Sequence, residues 1–126
     1  MPILRIEALP QKPKVDIQRA LRRVCVELSK IYECKPEQVW ATWRPIESGF
    51  FVEGENAAEF QQDGTHPPIA NLICFEGKPP ETIARMLEVG SKVLSEELGI
   101  PGNIFMYYTE ARSGQVFTGG SVRVRK

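Results

Sequence analysis

The chain matches itself. At a shift of 66 residues, Pro2-Ile3 falls on Pro68-Ile69, Lys12-Pro13 on Lys78-Pro79, Ile17 on Ile83, Arg19 on Arg85, Leu21 on Leu87 and Leu28-Ser29 on Leu94-Ser95. One residue is then lost, and at a shift of 65 Pro36 falls on Pro101, Val39-Trp40 on Ile104-Phe105, Ser48-Gly49 on Ser113-Gly114 and Gly54 on Gly119. Prolines, turn glycines and apolar core positions stay aligned together, so the two halves read as two copies of one unit. Whatever one copy folds into, the other must also form, and this removes most architectures from consideration.

Each copy reads strand, helix, strand. Leu4, Ile6 and Ala8 alternate with Arg5 and Glu7, the period of a half-buried strand. Pro10 to Lys14 is a loop, and Asp16 is placed as an N-cap for apolar residues at Ile17, Ala20, Leu21, Val24, Leu28 and Ile31, a helical stripe. Arg19, Arg22, Arg23 and Lys30 fall mostly off that stripe and read as a solvated face. Cys34-Lys35-Pro36 ends the helix, Val39 to Trp43 reads as a second strand, and Phe50 to Val52 as a brief extended piece. In the second copy, Ile69 to Phe75 is a strand, Ile83, Met86, Leu87, Gly90, Leu94 and Leu98 mark a helix capped by Gly99, and Ile104 to Tyr108 is a strand. Val116-Phe117 is short and extended, and the tail from Ser121 to Lys126 alternates like an edge strand.

Between the copies, residues 55–67 turn polar and read as a long connection with no element of its own, His66 being a polar residue of an exposed loop. We therefore expect one domain over residues 1–126, with repeats of about 2–54 and 68–120. Strands joined through a helix are parallel with a right-handed crossover. The fold class that follows is α+β: duplicated β-α-β units forming a four-stranded mixed sheet with two helices on one face. The bare face needs covering by other copies of the chain, which implies an oligomer.

Charge narrows the partners. Sixteen basic and sixteen acidic residues cancel, so no overall field favours nucleic acid or a membrane surface. The three cysteines, Cys25, Cys34 and Cys74, lack CxxC spacing and suit a reducing cytoplasm, while a single histidine offers little to a metal. No signal peptide or apolar spanning run is present, so a cytoplasmic protein is expected.

The chemistry-bearing feature is Pro2. Initiator methionine is trimmed when the next residue is small, and trimming Met1 would leave a secondary amine at the mouth of a strand. A chain-terminal proline has a basic nitrogen; an internal one, such as Pro68, is a neutral amide.

A duplicated β-α-β unit with proline behind the initiator methionine resembles the tautomerase superfamily. Glu110 to Gly114 with Phe117 to Gly120 is similar to the segment after the second strand of 4-oxalocrotonate tautomerase. Lys35 to Val39, Phe51 to Gly54 and Tyr107-Tyr108 look more like the macrophage migration inhibitory factor branch. The resemblance implies a homotrimer with three sites, and a cofactor-independent tautomerase in which Pro2 shuttles a proton on a small 2-oxo acid. It implies a substrate-binding role for Lys35, which matches the active-site lysine of that branch, and a pocket lined by Ile69 to Phe75 and closed by Phe117. Trp40 stands where the bacterial tautomerase has its second-strand arginine, with Arg44 two pleats further on the same face; both are candidate substrate-binding residues. Lys12 replaces the first-loop arginine of that branch. Phe75 and Lys78 replace the paired arginines of the dehalogenase-type relatives, and Val116-Phe117-Thr118 their acidic residue. Two alternatives stay open: a trimeric binding or signalling scaffold without catalysis, and a proline-dependent dehalogenase, hydratase or decarboxylase of unsaturated acids.

Overall fold

Alternation in the first strand decides where the core lies. In the computed structural model, which describes residues 1–125, β1 (Ile3–Ala8) buries Leu4, Ile6 and Ala8 and turns Arg5 and Glu7 outward. Helix α1 (Ile17–Tyr32) starts where the Asp16 side chain accepts the Arg19 amide at 3.0 Å. A 3-10 turn (Pro36–Gln38) leads into β2 (Trp40–Pro45), which starts one residue later and runs two residues further than the pattern suggests. The second copy repeats this with β5 (Ile69–Phe75), α2 (Pro80–Leu98) and β6 (Phe105–Ala111). Pro80 occupies the first turn of α2, where no amide partner is needed, and Gly99 ends it in the left-handed region at φ 69°.

The sheet order is β2-β1-β5-β6, with β1 and β2 parallel, β5 and β6 parallel, and the two units joined along the antiparallel pair β1–β5. In that pair Arg5 lies opposite Asn71, its own counterpart at the shift of 66, so a pseudo-two-fold axis passes between them. The hydrogen bonds obey the same axis. The Trp40 amide donates to the Pro2 carbonyl and the Phe105 amide to the Pro68 carbonyl, each at 3.0 Å.

Both helices cover one face. Val24 and Leu28 of α1 and Met86, Val93 and Leu94 of α2 pack on Leu4, Ile6, Ala70, Leu72 and Cys74. Arg23 crosses from α1 to Glu96 (2.9 Å) and Glu97 (3.1 Å) of α2, and Arg19 reaches Glu97 at 3.2 Å, so these two arginines tie the helices together rather than facing only water. The other face is bare, and Trp40, Phe105 and Tyr107 stand exposed on it. No described helix is long and apolar enough to cross a membrane.

The connection differs from its sequence reading. Gly54, at φ 63°, reverses the chain in two residues, so β3 (Phe51–Glu53) forms a hairpin with β4 (Asn56–Ala58), which lies inside the 55–67 segment. His66 is not an exposed loop residue: it is 5% accessible and held by hydrogen bonds. An equivalent hairpin joins β7 (Val116–Thr118) to β8 (Ser121–Arg123) through Gly119-Gly120, both at positive φ. The tail strand therefore pairs only with β7 and stops at Arg123; Lys126, the last residue of the expected strand, lies outside the described residues.

Leu28 is wholly buried between the helices and the sheet. Leu28→Ala should lower stability by about 2–5 kcal/mol. Urea denaturation would read this as a lower midpoint with an unchanged slope.

Candidate active site

Because β5 runs antiparallel to β1, its last residues lie beside the first residues of β1. A cavity of about 600 Å³ opens there. Ile3 and Trp40 form its floor at the starts of β1 and β2, and Ile73, Phe75 and Ala111 come from the ends of β5 and β6. The β7–β8 hairpin supplies Val116, Phe117, Thr118 and Arg123, while the end of α1 and the following turn supply Tyr32, Cys34 and Gln38. The walls are mostly apolar, with Arg123 the one cationic side chain among them.

Pro2 sits at the threshold of this cavity. Its ring is buried, and its carbonyl is fixed by the Trp40 amide. Met1 precedes it and lines the cavity, its ammonium donating to the Tyr32 hydroxyl at 3.3 Å. Burial pushes the pKa of this amine below 8.0; Lys78 and Arg123 push it the same way, against the opposing pull of Cys74 and Cys34. Burial also raises the Tyr32 hydroxyl above its ordinary value, so it stays a neutral donor. Lys78 stands over the Tyr32 ring, 4.1 Å from its centroid, and donates to the Tyr32 carbonyl at 3.3 Å.

Of the residues singled out from sequence, Trp40 and Phe117 line this cavity, and Pro2 lies buried between two lining residues, Met1 and Ile3. Lys35 does not line the cavity: it is exposed, and its amide donates to Gln38 Oε1 at 3.0 Å to open the 3-10 turn. Arg44 lies elsewhere. It pairs in register with Glu7, four residues along β2 from Trp40, about 13 Å at strand spacing. There it borders a separate groove of about 580 Å³ on the bare sheet face with Arg5, Asn71 and Tyr107. Lys12 is bound to Asp63 (2.9 Å) and the Gly99 carbonyl (3.3 Å), at the far end of β1.

Arg123, Tyr32, Cys34 and Gln38 were not legible as site residues. Arg123 read as one charge of an alternating tail, and only the Gly119-Gly120 turn signals that this tail folds back over β7.

No protein-family model matches the chain, and no curated protein matches it in sequence. Solved structures do. The chain is similar to Pt0534 inactivated by 2-oxo-3-pentynoate, with TM-score 0.82 and 14% identity over 96% of this chain and 94% of that one. It is similar to a wild-type fused 4-OT solved as a symmetric trimer, with TM-score 0.79 and 11% identity over 96% and 94% of the two chains. It is also similar to the macrophage migration inhibitory factor of Oncomelania hupensis, with TM-score 0.71 and 11% identity over 98% of both chains.

An amine that favours its neutral form in the folded state binds fewer protons there than in the unfolded chain. Stability of the Met1-bearing protein should therefore rise with pH from the folded pKa up to 8.0 and be lost on acidification through that window. The contribution is read by comparing denaturation midpoints of the protein with and without N-terminal acetylation. The acetylated form should lack this part of the pH dependence.

Proposed function

Because this chain has the fold of the tautomerase superfamily, we propose that it is a cofactor-independent tautomerase of a small 2-oxo acid. Pro2, freed by removal of Met1, is the base. The carrying observation is that the start of β1 opens directly into the cavity walled by Trp40, Phe75 and Phe117 beside Arg123.

A prolyl amine is intrinsically too basic to be neutral at physiological pH. The same burial and the same cations that depress the Met1 amine would act on it, bringing its pKa toward working pH, where a general base is most useful. The aromatic walls hold the apolar end of the substrate, and Arg123 binds the carboxylate by charge-assisted hydrogen bonds. The neutral Tyr32 hydroxyl, 3.3 Å from the Met1 amine, donates to the enol oxygen as charge gathers there. Proton transfer between carbon and oxygen then needs a base, an anchor and a donor, all of which this reading draws from the chain.

We further propose a homotrimer. Exposed Trp40, Phe105 and Tyr107 lie on a sheet face with no helix over it, and burying them between copies would remove this apolar surface from water. A fused 4-OT of this fold is a symmetric trimer. Working in the cytoplasm would keep Cys25, Cys34 and Cys74 as thiols.

Phenylpyruvate enol ketonisation, followed by absorbance, tests the mechanism. A chain trimmed to Pro2 should turn over, and one that keeps Met1 should not, because its Pro2 nitrogen is an amide. Arg123→Ala should raise KM by roughly 10–100-fold, the worth of a charge-assisted contact. Lys35→Ala should change KM by less than about twofold, because Lys35 lies outside the cavity lining. Equal turnover by trimmed and Met1-bearing chains would rule out Pro2 as the base, and no turnover by either would favour the scaffold.

A further inference from the structure

We propose that the chain carries a second copy of this cavity, at Pro68, and that its own connecting segment fills it, with the His66 imidazole as the resident ligand. The inference rests on the duplication and on contacts of the connection. It does not depend on catalysis at Pro2.

The shift of 65 carries residues of the open cavity to known places, among them Gln38 to Asn103, Val116 to Phe51, Thr118 to Glu53 and Arg123 to Ala58. The hairpins that hold them are equivalent in register, Gly49 donating to the Ala58 carbonyl as Gly114 donates to the Arg123 carbonyl. The second site is therefore framed like the first. The connection touches three of the positions just named. The His66 ring stands edge-on to Phe51, 5.1 Å between centroids at 67°. Its amide donates to Glu53 Oε2 at 2.7 Å. Asn103 Nδ2 donates to the carbonyls of Gln62 (3.1 Å) and Thr65 (2.8 Å).

His66 is bound there as a ligand would be. Nε2 lies 2.8 Å from the Asn56 carbonyl, which can only accept, so Nε2 carries the proton and Nδ1 faces the Thr65 hydroxyl at 3.0 Å. The buried Gln61 side chain locks the segment, donating to the Gln62 and His66 carbonyls and accepting from Gln11, while its own amide donates to the Pro10 carbonyl. His66 holds φ at 50°, a left-handed conformation that a residue with a Cβ adopts at a cost. Such a conformation persists where its surroundings enforce it. The fourth position gives the chemical class. Ala58, buried, replaces the cation Arg123, and Glu53 Oε2 lies 3.6 Å from His66 Nδ1, so this part of the second cavity suits a planar N–H heterocycle and not a carboxylate.

Two measurements on the full chain decide the matter. His66 is the only histidine, so its ring gives a single set of imidazole signals. In the unmodified protein the Nε2 proton should be visible by nitrogen-15 NMR and exchange slowly with water; rapid exchange would overturn the proposal. His66→Gly should lower Tm by roughly 5–10 °C. About 50 mM imidazole should restore at least half of that loss, by binding the folded form alone. Imidazole should leave the unmodified protein unmoved, and acetate should restore neither. A folded His66→Gly chain indifferent to imidazole would overturn the proposal; were that chain not to fold, the exchange measurement decides alone.

Discussion

The ladder between β1 and β5 is the constraint on which the rest depends. Placing Arg5 opposite Asn71 makes the two halves equivalent about one axis, and it brings the end of β5 beside the start of β1. A slip of one residue would turn Leu4, Ile6, Ala70 and Leu72 out of the core and put Arg5 and Glu7 into it, which burial of the alternate set forbids. The cavity at Pro2 is thus a product of strand register: its floor, walls and roof come from chain segments up to about 120 residues apart, brought together by one antiparallel pairing.

Equivalence of backbone has not meant equivalence of content. The same hairpin carries Arg123 in one half and Ala58 in the other, and the same helix end carries Tyr32 in one and Leu98 in the other. Both lost groups are polar. With no counterpart of Arg123 or Tyr32, the Pro68 end keeps Lys12, already bound to Asp63 and the Gly99 carbonyl, whereas the Pro2 end keeps Arg123 and a hydroxyl against apolar walls. Duplication supplied two frames, and side chains have made them chemically different.

What the sequence disclosed follows from how local each signal is. Strands and helices were readable because alternation and the Ile17-to-Ile31 stripe are nearest-neighbour patterns, and Asp16 and Gly99 mark helix ends through bonds made within one turn. The sheet followed from the repeat. Trp40 and Phe117 were candidates through the resemblance, and both line the cavity. Arg44 was placed on the correct face but too far along its strand, since a pleat count gives side and not reach. Arg123 and the burial of His66 depend on hairpins that fold back over the sheet ends, and a run of polar residues carries no periodic trace of such a return.

The position of Met1 and Val124 at one cavity has a topological consequence. Met1 and Val124 border the same space, so a short linker could join them without crossing the sheet. A circular permutant opened before Pro68 would then place a basic nitrogen at the opposite end of the axis and turn the old terminus into an amide. The basic nitrogen of such a fold would belong to whichever strand begins the polypeptide.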